Sequence, residues 1–152
     1  MAQENAVAIQ LSEEEQQQCQ QALQTLNSIL SPKLISLSPE QRKQIPKMND
    51  KTVPFVEKTL DYATSNPDFT PAYIDIPNLK IDLDAVGTLT ALKRPLEQLL
   101  STLSDSIMLS GSEAYVAGLA YYNSVKQAAK MNVPGAKDIY NDLKKRFETG
   151  GR

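Results

Sequence analysis

Glu113 has the surroundings of a working acid. It stands in the segment SGSEAYVAG, among small residues, with Tyr115 and Tyr121 close by in the chain. A carboxylate hydrogen-bonded by a tyrosine can be held as a buried acid. Glu113, Tyr115 and Tyr121 are therefore the candidate ligand-binding residues. The glutamate also has a plainer reading. If a helix starts at Ser112, Glu113 takes its first position, where the dipole favours an acid without any function. Tyr115, Tyr121, Tyr122 and Tyr140 offer an aromatic binding surface, or else pack their rings inward and keep their hydroxyls wet.

Other carboxylates stand in pairs. Glu57 and Asp61 share one helical face, and Asp82 and Asp84 are close in sequence. Such pairs can hold a metal or serve a glycosidase. Lys58 beside the first pair reads as a solvated face, and the second pair suits the first turn of a helix. The chain contains no histidine and one cysteine, Cys19. That removes the commonest general base and metal ligand, and with them His-based triads, dyads and zinc or di-iron motifs. No catalytic residue, metal ligand or cofactor is assigned, and the fold is expected to be metal-independent. Cys19 falls on an apolar stripe and reads as a small hydrophobe rather than a nucleophile.

These residues have to be positioned by helices. Ser12 and Glu15 form a capping box, opening a helix that the apolar spacing of Cys19, Ala22, Leu23, Leu26, Ile29 and Leu30 carries to Ser31. Ser38 and Gln41 form a second box, and Pro46 closes that short helix. Asp50 is read as the cap of a third helix reaching toward Asn66. The proline-rich connector NPDFTPAYIDIPN follows, with a single helical turn expected at Tyr73 and Ile74. A long stripe then runs Leu79, Leu83, Val86, Leu89, Leu96, Leu99, Leu100, Leu103, Ile107, interrupted by Lys93. Pro95 lies inside it and is expected to bend the helix without ending it. Ser110-Gly111-Ser112 reads as a helix–helix turn, with Ser112 capping a further helix from Glu113 to Met131. An unbroken helix from Leu79 to Lys130 would span roughly 75–80 Å, which favours the turn in a compact domain. Gly118 lies mid-helix, where glycine costs about 0.5–1 kcal/mol, so an inward-facing Gly118 would admit a neighbouring helix or a large side chain. Pro134 begins the last helix, with Ile139, Tyr140, Leu143 and Phe147 on its apolar side. Residues 1–10 and 149–152 are expected to be flexible. With no strand, the expected fold is all-α: one antiparallel four-helix bundle over 1–152, with one or two extra short helices.

Three segments carry a resemblance: IPKMNDKTVPFVEKTLDYATSNPDF at 45–69, LSGSEAYVAGLAYYNSVKQAAK at 109–130, and VPGAKDIYNDLKKRF at 133–147. Together they resemble a family of small, uncharacterised bacterial four-helix-bundle proteins, over about two thirds of the chain. The resemblance implies a helical bundle. It brings no activity, substrate or cofactor and carries over no functional residue.

Net charge is −2 and hydrophobic residues make up 41%. That balance disfavours nucleic acid, which selects a basic footprint. No apolar run reaches the roughly 18 residues of a membrane span. The first residues lack the pattern of a signal peptide, so a cytoplasmic location is expected. Charge is split along the chain. Residues 1–31 carry four glutamates and no base, while 120–152 carry seven Lys or Arg against three acids. These ends can attract each other within one chain or between two. The basic end is also the sole basis for a nucleic-acid or membrane role. The first expectation is a non-enzymatic bundle acting through contacts with a protein partner or with itself. The alternative is a small-molecule-binding bundle, or an enzyme using carboxylate and tyrosine chemistry around Glu113.

Overall fold

Ser12 accepts the Glu15 N–H at 3.1 Å, and the Glu15 carboxylate accepts the Ser12 N–H at 2.8 Å. Two of the four orphan donors at a helix start are thereby satisfied. The computed structural model describes residues 6–150. In it this box opens α1, Glu13–Leu30. The Ser38–Gln41 box forms in the same way and opens α2, Pro39–Gln44. Next come α3 (Val53–Ser65), a single 3-10 turn at Pro67–Phe69, α4 (Ile76–Lys130) and α5 (Ala136–Thr149). The described residues are all-helical in class and contain no strand. Expectations for residues 1–5 and 151–152 lie outside the described residues.

Several expected boundaries move. Asp50 does not cap α3. Asn49 does the local work: its Oδ1 accepts the N–H groups of Lys51 and Thr52, and its own N–H donates to Thr52 Oγ1 at 2.8 Å. An asparagine readily bonds to backbone two residues on. The single helical turn of the connector falls at Pro67–Phe69 rather than at Tyr73 and Ile74, where the chain makes only a turn closed by Ile74 N–H to Pro71 C=O.

The largest correction concerns Ser110-Gly111-Ser112. No turn forms there, and α4 runs unbroken for 55 residues, about 80 Å at 1.5 Å per residue. A glycine C-cap needs the left-handed backbone, and among the described glycines only Gly135 has positive φ. A single compact domain was the premise that favoured the turn, and the chain instead divides into two units. Two dipole readings fall as a result. Glu113 lies in mid-helix. Asp82 and Asp84 lie beyond the first turn, because Asp75 starts α4 earlier by accepting the Asn78 N–H at 3.2 Å. Asp84 instead pairs with Lys80 at 2.6 Å. Helix continues on both sides of Pro95.

α4 ends in a Schellman motif. Asn132 adopts φ 58°, Val133 N–H reaches Ala128 C=O at 3.0 Å, and Asn132 N–H reaches Ala129 C=O at 3.2 Å. Gly135, at φ 82°, makes a second left-handed step before α5. The two reversals turn α5 back against the last turns of α4, where Tyr122 stacks on Phe147 at 5.8 Å and meets Tyr140 at 5.6 Å.

The chain divides into two units, Met1–Ile9 with Leu99–Arg152, and Gln10–Gln98. The first holds the α4–α5 corner, where Val125 and Ala136 are 8% and 7% exposed. The second holds α1, α2, α3 and the start of α4, and none of its residues is buried. Cys19, expected on a covered face, is exposed. Leu23, Ile29, Phe55 and Tyr62 are exposed as well.

Candidate functional site

α4 sends Glu113 to one neighbour and Tyr115 and Tyr121 together to another. Successive residues on an α-helix turn by about 100°, so Glu113 and Tyr115 project about 160° apart. The Glu113 carboxylate accepts the N–H of Ala6 at 2.9 Å. It therefore ties the N-terminal arm to α4 within one unit. Tyr115 and Tyr121, 59% and 57% exposed, line a notch with Gly118, Tyr122, Leu143 and Phe147, and Glu113 is not among the lining residues. The notch measures about 310 Å³. A Cβ placed on Gly118 would meet nothing within 4 Å. Within this chain Gly118 therefore leaves room and admits no close neighbour.

The arm contact makes a prediction. Replacing Glu113 by Ala removes a charge-assisted acceptor worth about 1.5–3 kcal/mol at most, and less at this half-exposed position. Residues 6–9 are expected to lose hydrogen-exchange protection in Glu113→Ala. Glu113→Gln, which keeps an acceptor, should retain part of it. Equal protection in all three proteins would refute the tie.

Tyr122 is the hub of the aromatic cluster. Partial burial of its ring, then the neighbouring Tyr140 hydroxyl and the Glu148 carboxylate, hold its hydroxyl above the ordinary tyrosine range. A tyrosine is protonated at neutral pH in any case, and these groups extend that to more alkaline pH.

The other unit carries a larger apolar cavity of about 600 Å³, lined by Tyr62, Ala63, Phe69, Thr70, Ile74 and Leu79 among others. The 3-10 turn against α3 shapes it. Thr70 Oγ1 is out of reach of solvent and lacks a hydrogen-bond partner. By its prolines this stretch reads in sequence as a connector with one helical turn. Its signal was the recurrence of Phe69, Tyr73 and Ile74 among prolines, which is unusual for a solvated loop. A further cavity of about 540 Å³ lies between α3 and α4, with Asp50, Glu57 and Arg94 among its lining residues. Glu57 and Asp61 form no metal cluster, and among the described residues no three His, Cys, Asp or Glu gather to hold an ion. No described helix is long and apolar enough to cross a membrane. No family model, curated protein or solved structure matches the chain.

Proposed function

We propose that this protein acts by binding protein, and that its helices complete a bundle only with surfaces supplied from outside the chain. One observation carries the proposal: neither unit closes a core of its own. No side chain in Gln10–Gln98 is buried, and the other unit buries only Val125 and Ala136 among its described residues. Yet the hydrophobic fraction is that of an ordinary globular protein. Folding of a domain of this size requires apolar burial to offset a conformational-entropy cost on the order of 100 kcal/mol or more. The described residues bury little of it. A partner or a second copy covering the exposed leucines of α4 would complete the four-helix arrangement that the sequence patterning calls for. Catalysis finds little support beside this. Glu113 is engaged by the arm, the tyrosine notch holds no carboxylate, and the chain has no histidine to move protons. The test is the concentration dependence of thermal unfolding, since anything that binds only the folded form raises its stability by mass action.

A further inference from the structure

The connector between α3 and α4 holds its apolar side chains around a space. Tyr62 and Ala63 of α3, Phe69 of the 3-10 turn, Thr70 and Ile74 of the connector and Leu79 of α4 all line the cavity of about 600 Å³. Its frame is stiff. Pro67 and Pro71 have fixed φ, and each begins a closed turn: Thr70 N–H donates to Pro67 C=O at 2.9 Å, and Ile74 N–H to Pro71 C=O at 3.0 Å. Ala63, Thr70 and Leu79 are half-buried, while Tyr62 and Phe69 are 62% and 87% exposed. Two large rings are thus left in water beside an apolar hollow, and covering them is favourable. None of the lining residues carries a charge. The cavity with Asp50, Glu57 and Arg94 in its wall is different in kind. Thr70 adds one unmet demand: its hydroxyl is shut off from solvent and reaches no hydrogen-bond partner. A buried polar group in that state calls for a partner.

We infer that this cavity binds one small, neutral, mainly aromatic or alicyclic molecule that carries a hydrogen-bond acceptor, and that the Thr70 hydroxyl donates to that acceptor. Each feature selects part of the ligand. The volume lies within the roughly 300–1,000 Å³ of small-molecule sites, and one side chain reaching in from a partner protein would leave most of it empty. The uncharged wall disfavours an ion, whose desolvation nothing there would offset. Stepping Thr70 to another staggered χ1 well moves its hydroxyl from the covered side of Cβ to another side, so the acceptor gains a donor and the orphaned hydroxyl a partner. Because the prolines and closed turns set the walls beforehand, little ordering is left for the ligand to bring about. The site is independent of the protein contact proposed above, since all its walls come from residues 59–79.

Benzophenone is the probe, with diphenylmethane as the same body without an acceptor and diphenylacetate as its charged relative. In equilibrium dialysis the full chain is expected to take up one benzophenone saturably and to bind diphenylacetate at least about tenfold more weakly. Thr70→Val keeps the shape of the side chain and removes the hydroxyl. It should weaken benzophenone about fivefold, the scale of one neutral hydrogen bond, and leave diphenylmethane unchanged. Ala63→Phe fills the cavity and should abolish binding of both, with wild-type helicity by circular dichroism. Irradiating the complex should attach benzophenone within residues 59–79. No saturable uptake, equal binding of diphenylacetate, unchanged benzophenone affinity in Thr70→Val, or attachment outside 59–79 would each overturn the inference. So would uptake that falls as protein concentration rises, which would assign the cavity to a covering chain. The protein-contact reading stands or falls separately, on the concentration dependence of melting.

Discussion

Val125→Asp is expected to detach α5 from the end of α4. Val125 is one of two buried side chains among the described residues, and both lie at the α4–α5 corner. An aspartate there would hold its carboxylate where the native side chain is nearly excluded from water. Val125 is 8% exposed, near the corner that the Asn132 and Gly135 reversals create. Leaving an uncompensated charge in such a position costs about 3–5 kcal/mol. Some of this is relieved if the carboxylate swings out to water, so about 3 kcal/mol is expected. The corner has little else to draw on. Lys144–Glu148 and Arg146–Asp142 are pairs within α5 and do not tie it to α4. Hydrogen exchange over residues 136–149 reads the result. Wild-type protection in that stretch for Val125→Asp would mean that α5 is held by something other than this corner.

Pro95→Ala should have the opposite sign and a similar size. Proline inside a helix removes one backbone hydrogen bond and crowds the carbonyl four residues back, here that of Ala91. α4 nevertheless passes through Pro95. Alanine restores the bond and is favoured by about 3 kcal/mol in a helix interior. Exchange protection from about Ala91 to Leu99 should rise, and total helicity with it. An unchanged or reduced protection would show that Pro95 is held by contacts that alanine does not keep.

Local chemistry was well written in the sequence, and burial was not. The Ser12–Glu15 and Ser38–Gln41 boxes sit where their spacing places them, because a cap needs only four consecutive residues. Pro95 likewise behaves as its flanking leucines imply. The Ser110-Gly111-Ser112 reading failed for a nonlocal reason. Glycine permits a left-handed turn but does not demand one, and the assumption of a compact domain chose between the alternatives. Cys19 shows the same limit. Helical spacing says which face is apolar, not what lies against that face, and α1 has no buried residue. For the candidate site, residue types singled out Glu113, Tyr115 and Tyr121 together. The continuous helix separates Glu113 from Tyr115 by its own rotation, and brings in Leu143 and Phe147 from α5. Proximity in sequence was mistaken for proximity in space.

Calorimetric melting over a hundredfold range of protein concentration tests whether the helices need a surface from outside the chain. The midpoint is expected to climb with concentration, with a broad, weakly cooperative transition at the dilute end, where the exposed leucines of α4 have nothing to bury them. A sharp two-state transition, with a midpoint independent of concentration and a calorimetric enthalpy near the roughly 0.7 kcal/mol per residue of globular domains near 60 °C, would contradict it.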